Sequence, residues 1–258
     1  MSALEVFLLT VLVAVAAKSG AWLLQRRTRN AGLVDPIWAF TLGAIAAIYA
    51  ALGTAPLETR LALGVMGGAW GLRLGAHLWA RNAGKPEDFR YAQFRAQWGE
   101  RADFNMFWFF HFQNVFTLLL SASAFLTVAF RDGNPGLGAF VLAGLIWLVA
   151  VAGEGLADRQ MEAFRHNPVN KGRVCREGLW RYSRHPNYFF ECVHWLAYVP
   201  LAWGAPWGWA ALAAPLVMAS LLMKLSGVPL LEEQMLQRKP DYADYVRTTS
   251  VLIPWPPK

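Results

Sequence analysis

The sequence predicts an all-α fold, a polytopic membrane protein with about seven transmembrane helices, its N-terminus outside and its C-terminus cytoplasmic. Three observations carry this. Hydrophobic residues make up 56% of the 258 residues and charged residues only 16%, where a soluble domain carries about 25% charged residues. The apolar residues fall into runs of about twenty, the length of helix that spans a bilayer. The cations are lopsided. Of the 24 Lys and Arg residues, all but Lys18, Arg60, Arg73 and Arg131 fall at or after the ends of the first, third, fifth and seventh runs. Such an excess marks the cytoplasmic side.

The first run, about Leu4 to Leu24, ends at Arg26, Arg27 and Arg29. It has no basic flank before it and no small-residue cleavage site, so a retained span is expected rather than a signal peptide. The second covers about Leu33 to Leu52, with Asp35, Pro36 and Trp38 in its first turns. The third runs from about Leu61 to Ala80, and a polar loop, Arg81 to Asn105, follows. The fourth covers about Met106 to Phe130 and is closed by the turn Arg131-Asp132-Gly133-Asn134-Pro135-Gly136. The fifth starts near Leu137 and stays helical beyond the membrane, to about Phe164. The sixth covers about Tyr188 to Trp203, and Gly204-Ala205-Pro206 turns the chain into the seventh, about Trp207 to Leu225. Leu230 to Arg247 has the pattern of an amphipathic surface helix. The tail from Ile253 cannot be helical through Pro254, Pro256 and Pro257. One domain, 1–258, is expected.

Composition also excludes. The two cysteines, Cys175 and Cys192, are too few for a disulfide framework, and no metal-ligand spacing surrounds them, so no metal is expected. The net charge of +7 belongs to the cytoplasmic loops, which leaves no case for nucleic acid.

Ionisable residues inside spans are costly and point to function. Arg73, His77 and Arg81 share one face of the third span, at spacings of four. Gly64, Gly68, Gly71 and Gly75 form a stripe of the kind that admits a close neighbour helix. Glu154, Asp158 and Arg165 share a face of the fifth span. Asn187, Glu191, Trp195 and Tyr198 do so on the sixth, with His194 close by, and the fourth carries His111, Gln113 and Asn114. The alternative is snorkelling for the arginines and ion pairs to the basic loops for the carboxylates. Taken together, the residues predict a polar cavity open to the cytoplasm.

The stretch Gly178 to Glu191 gathers Trp180, Arg181, Tyr182, Arg184, His185, Asn187 and Glu191 where a basic loop enters a helix. A second dense loop, Arg81 to Tyr91, mixes cations, carboxylates and Gly84-Lys85-Pro86. Two basic loops beside a cavity suit a ligand carrying several phosphates, since guanidinium forks grip phosphate oxygens in pairs. Anionic lipid headgroups would draw the same cations, but not the carboxylates and asparagines among them. No GxGxxG fingerprint and no P-loop is present.

These residues carry a resemblance. Gly178 to Glu191, Lys224-Leu225-Ser226-Gly227-Val228-Pro229 to Glu232, and Asp241-Tyr242 to Trp255 resemble the membrane steroid 5-alpha-reductase and sterol reductase superfamily. With Asp35-Pro36-x-Trp38 and Arg81 to Tyr91, they are most similar to its bacterial branch, often labelled a domain of unknown function. Residues 150–258 hold most of the motif. The resemblance implies a seven-helix oxidoreductase that binds NADPH from the cytoplasm and reduces a carbon–carbon double bond in a lipid. It implies cofactor contacts at Asn82, Lys85, Asp158, Arg165, Arg173, Tyr182, Arg184, His185, Asn187, Glu191 and Lys224. Lysine at 85 and 224 keeps the charge but loses the fork of an arginine. One departure bears on substrate. The steroid enzymes polarise their enone with an adjacent Gln-Glu pair in the second span and a tyrosine in the third, and neither is present here. A 3-oxo-steroid is therefore not implied; steroid-like, isoprenoid and enoyl lipids remain open.

The expected chemistry is hydride transfer with proton donation to the developing enolate. Candidate donors, in order, are Tyr182, Tyr91, His77 and Asp35. Arg184 and Tyr182 are expected at the mouth of the cavity, Asn187 and Glu191 inside it. The text Arg184-His185-Pro186-x-Tyr188 with Glu232-Glu233 also resembles isoprenylcysteine carboxyl methyltransferases, which bind S-adenosylmethionine. That cofactor needs fewer cations. Expected partners are membrane lipids and a lipophilic substrate, with a monomer favoured.

Overall fold

The computed structural model describes residues 1–258 and is all helical, with one isolated parallel bridge, Ser183 to Ser250, as its only β feature. The chain divides into two compact units. The first comprises Met1–Phe140 with Leu201–Ala214, the second Val141–Pro200 with Pro215–Lys258.

In the first unit, α1 (Ala3–Thr28) opens on a capping box, with Ser2 and Glu5 satisfying each other's backbone N–H. A 3-10 turn, Ala31–Leu33, capped by Asn30, leads into α2 (Val34–Leu52). The glycine stripe of α3 (Leu57–Asn82) does what its spacing predicts: a Cβ on Gly71 would stand 2.7 Å from the Gly43 Cα of α2, and one on Gly75 would occupy the place of the Phe40 ring. Two helices at that distance gain dispersion contacts along their whole length.

The polar loop expected from Arg81 to Asn105 holds a helix. α4 (Phe89–Trp98) is capped by Asp88 and followed by a 3-10 turn, Gly99–Arg101. Its aromatic residues Tyr91, Phe94 and Trp98 recur at helical spacing and all meet Phe109. The spacing of three and four was present in the sequence; the surrounding charge hid it. α5 (Ala102–Leu120) passes through a π-helical turn, Ser121–Leu126, into α6 (Thr127–Ala129). The hydroxyls of Ser123 and Thr127 return to backbone carbonyls one turn earlier.

α7 (Leu137–His166) spans 30 residues, roughly 45 Å at 1.5 Å per residue, longer than a hydrocarbon core. The second unit continues with α8 (Pro186–Leu196), and α9 (Tyr198–Ala202) leads back into the first. A 3-10 turn, Gly208–Leu212, precedes α10 (Ala213–Ser220). A π turn, Leu221–Ser226, then joins α10 to α11 (Val228–Arg238). The surface helix expected over 230–247 is two helices, α11 and α12 (Tyr242–Thr248). Pro240 lacks an N–H and its ring clashes with the preceding turn, so the helix stops.

Five helical stretches are long and apolar enough to cross a membrane: Ala3–Thr28, Ala31–Leu52, Phe89–Ala129, Leu137–His166 and Gly208–Arg238. α3 has the length, at 26 residues, but Arg60, Arg73, His77 and Arg81 interrupt it. α8, at 11 residues, is short. Leu8, Leu12, Leu145, Leu148 and Leu216 each point outward, more than half exposed. A water-soluble surface avoids such continuous apolar stripes; a bilayer requires them.

Candidate functional site

In the first unit the expected residues gather at the junction of α2, α3 and α4. Tyr91 is buried and its hydroxyl donates to Asp35 Oδ1 at 2.5 Å. Arg90 Nη2 donates to the other oxygen, Oδ2, at 2.9 Å, and its Nε donates to Asp88. Arg90 was not singled out from sequence, although it stands beside Tyr91. The loop before α4 is fastened by Asn30, whose amide donates to the carbonyls of Asn82 and Lys85. Asn82 itself is buried and donates to the Gly32 carbonyl. The Lys85 ammonium is exposed and caps the end of α3 through the Ala80 carbonyl. His77 lies half-buried on α3, about one and a half turns before the helix end.

Asp88 closes this corner. Burial by itself raises its carboxyl, but the hydrogen bonds and charge of Arg90 outweigh burial and hold it below the ordinary 3.8. A folded value below the unfolded one means that the stabilisation is fully present above pH 3.8 and lost as pH falls below it. Acid melting of the wild type should therefore steepen below that pH, and Asp88→Asn should flatten the dependence. Melting temperatures in detergent from pH 6 to 2.5 test this; parallel curves for the two proteins would contradict it.

In the second unit the stretch from Gly178 is held by backbone as much as by side chains. Gly178 has φ of 56° and lies against the Gln160 side chain, where any Cβ would collide. Gln160 in turn accepts from the Leu179 N–H at 2.9 Å. Trp180 Nε1 donates to the Ala157 carbonyl of α7. The Tyr245 hydroxyl donates to the Trp180 carbonyl. Burial pushes that phenol up, which keeps it protonated as a donor. The C-terminal tail completes the frame: Arg184 N–H donates to Ser250, Ser183 Oγ to Leu252, and Trp255 N–H to Tyr182.

Arg184 differs from expectation: it is buried rather than set at a mouth, and His185 beside it is buried too. Arg184 donates to both Glu232 oxygens and to the carbonyls of Val246 and Thr249, and His185 Nε2 lies 3.0 Å from Glu232 Oε1. The reason is the tail, whose free carbonyls and Glu232 offer a guanidinium every acceptor it needs. Asn187, at the start of α8, donates to Asp158 Oδ1 of α7 at 3.4 Å, and Glu191, one turn on, is buried and accepts from Trp195 Nε1. Tyr182 is 40% exposed. Arg165, Arg173 and Lys224 are exposed. Lys171, Arg173 and Arg181 extend from the same loop with no ion pair, whereas Arg176 is taken by Asp244. An open cleft of about 600 Å³ lies between Arg173, Val174, Arg176, Asp241 and Asp244.

The chemistry available is thus divided. The second unit offers unpaired cations beside a hydrogen-bonded Asp158–Asn187 pair, with Arg165 two turns beyond Asp158 on α7. The first offers a phenol–carboxylate–guanidinium set. A family model described as "Protein of unknown function (DUF1295)" matches residues 21–249. No curated protein and no solved structure matches the chain.

Proposed function

The chain belongs to the DUF1295 family, and from the chemistry of its residues we propose that it is an NADPH-dependent integral-membrane oxidoreductase acting on CH–CH groups, which reduces a carbon–carbon double bond in a lipid. The observation that supports this most is the loop carrying Lys171, Arg173 and Arg181, exposed and without ion pairs, on the same unit as the Asp158–Asn187 hydrogen bond. Free guanidinium groups suit phosphate oxygens, and a carboxylate–amide pair suits ribose hydroxyls or a carboxamide. Lys171, Arg173 and Arg181, with Arg165 and Lys224, would take the phosphates; Asp158, Asn187 and Glu191 would orient the polar remainder. Buried Arg184 and His185 position the loop. When bound, NADPH supplies the hydride.

The residues of the chain supply the proton. For the proton we propose Tyr91 of the first unit, whose hydroxyl turns from Asp35 to donate it, while Arg90 holds Asp35. The Asp35 side chain is 21% exposed, so the dyad is reprotonated from water. In the proposed topology there are seven spans, α3 and the α8–α9 segment completing the five apolar ones. The N-terminus lies outside and the basic loops face the cytoplasm of a bacterial inner membrane, where the cofactor is. The substrate is a lipophilic enone or enoyl lipid, and the protein works as a monomer among membrane lipids.

The other reading is an S-adenosylmethionine-dependent methyltransferase. The Arg184–His185–Glu232 linkage fits it equally well, but that cofactor leaves the unpaired cations without a role. Asn187→Ala and Arg173→Ala should each weaken NADPH binding at least tenfold, measured by titration of the purified protein in detergent. Unchanged affinity in both variants would remove the site assignment.

A further inference from the structure

Between Glu191 and Lys224 the chain carries no Asp, Glu, Lys or Arg. The turn after α9 lies in the middle of that stretch, and its exposed side chains are indoles. Trp203, Trp207 and Trp209 are each more than half exposed. The ring centroids of Trp207 and Trp209 stand 6.0 Å apart. The indole N–H groups of Trp22, Trp180 and Trp195 each donate to an acceptor within the protein; those of Trp203, Trp207 and Trp209 donate to none. An indole is suited by surroundings that are apolar around its body and offer one acceptor at its N–H. A turn standing in water is built from polar residues, and this one is not.

The turn also holds strain. Trp207 has φ of 61°, a left-handed conformation that a bulky L-residue rarely adopts. Its neighbours impose it. The Ala205 N–H donates to Ala202, the Gly208 N–H to Ala205 and the Ala210 N–H to Trp207, and a Cβ on Gly208 would collide with the Ala202 carbonyl. Strain fixed in this way clusters at binding sites. Here its effect is an outward Trp207 indole beside that of Trp209.

The position of the turn names what it meets. Trp209 and Leu212, both exposed, are one turn apart in the 3-10 turn Gly208–Leu212, which has three residues per turn. They open the apolar stretch Gly208–Arg238, one of the five able to cross a membrane. The indoles therefore stand at the end of a lipid-facing stripe. Before the turn, α8 and α9 hold 11 and 5 residues, at most about 26 Å of rise with Ala197 between them, less than the roughly 30 Å of a hydrocarbon layer. A turn that closes helices so short does not clear the bilayer. It lies near the glycerol esters, the level at which tryptophan is enriched.

We propose that Trp203, Trp207 and Trp209 form a docking surface for the glycerol-ester region of phospholipid, with the Trp207 and Trp209 indoles donating their N–H groups to ester carbonyl oxygens. An ester carbonyl accepts without carrying charge, which matches a surface that has none. The surface is independent of the proposed reductase chemistry.

The test uses the full-length protein, isotopically labelled on the indole nitrogens, in bicelles of a diester phospholipid and of its diether analogue, which lacks the carbonyls. Trp203→Phe, Trp207→Phe and Trp209→Phe assign the indole N–H signals. The comparison is made on the wild type, so a variant that does not fold removes one assignment and not the test. The Trp207 and Trp209 N–H protons should resonate further downfield in diester than in diether lipid. A nitroxide near the ester end of the acyl chain should broaden them more than one near the methyl end, and more than a water-soluble gadolinium chelate. Identical positions in the two lipids would overturn the proposal. So would strongest broadening by the chelate, which places the turn in water, or by the methyl-end nitroxide, which places it among acyl chains. Protection from all three probes would overturn it in favour of a second copy covering the turn. Trp207→Gly removes the indole and the strain together. Its thermal midpoint in detergent should equal or exceed that of the wild type, and any advantage of diester over diether lipid should shrink. A lower midpoint in detergent would make Trp207 a packing residue and overturn the proposal. NADPH binding should be unchanged in Trp207→Gly, which separates this outcome from any failure of the reductase assignment.

Discussion

Arg184→Ala is expected to be the most destabilising single substitution in the second unit. The side chain is buried and joins α8 to α11, α12 and the tail. Its Nε reaches Glu232 Oε1 at 2.6 Å, and its Nη1 reaches the Val246 carbonyl at 2.9 Å and that of Thr249. Removing the guanidinium leaves a largely buried carboxylate with His185 as its remaining partner, and two carbonyls short of donors. Breaking a buried ion pair from one side costs about 3–5 kcal/mol, a large part of the roughly 5–15 kcal/mol that holds a domain folded. Cys175 is buried in this unit, so its alkylation reports opening directly. Arg184→Ala should lower the midpoint of thermal alkylation sharply, and Arg184→Lys less. The pair Arg184→Met with Glu232→Leu should lose less than Arg184→Ala alone, because no charge is then left buried. A shift worth under about 1 kcal/mol in Arg184→Ala, the value of an exposed pair, would show that the linkage does not hold the loop.

The second large effect concerns turnover. Tyr91→Phe removes one hydroxyl and leaves Arg90 on Asp35, so no carboxylate is orphaned. Stability should fall by only about 1 kcal/mol, the net value of one hydrogen bond. Proton donation by a positioned side chain contributes about 10²–10⁴-fold to rate. NADPH oxidation with a lipid enone should therefore fall by a factor in that range, with NADPH affinity unchanged. Asp35→Asn should lower turnover in the same way, since the amide no longer holds the phenol as an anion does. Tyr182→Phe should retain activity, its ring being exposed and its hydroxyl free of protein partners. Wild-type turnover in Tyr91→Phe together with loss in Tyr182→Phe would move the donor role to Tyr182.

The contrast between these two tyrosines shows what was legible in the chain. Tyr182 stood in the densest motif and ranked first; Tyr91 stood in a loop whose helix went unseen. The pairing of Tyr91 with Asp35 crosses 56 positions, and no local pattern specifies it. The apolar runs and the glycine stripe were legible because each follows from spacing along one helix, as Gly71 on Gly43 illustrates. The face shared by Asp158 and Asn187 was legible in part: helical phase gave each residue its side, and the helix start at Pro186 brought the two together. The burial of Arg184 was not. Its partners are Glu232 and the backbone carbonyls of the tail, and a carbonyl carries no residue-specific signature. The break at Pro240, by contrast, could have been read, since the residue itself forbids the helix drawn through it.

The central claim is that the unpaired cations of Lys171, Arg173 and Arg181, with Asp158 and Asn187, bind a phosphorylated nicotinamide cofactor. The most direct measurement is titration of the purified full-length protein with NADPH and, separately, with S-adenosylmethionine, read by nicotinamide fluorescence and by calorimetry. The account predicts saturable one-to-one binding of NADPH, weakened by added salt because the contacts are exposed cations, and no saturable binding of S-adenosylmethionine. Saturation by S-adenosylmethionine, with no NADPH binding at any concentration reached, would contradict it.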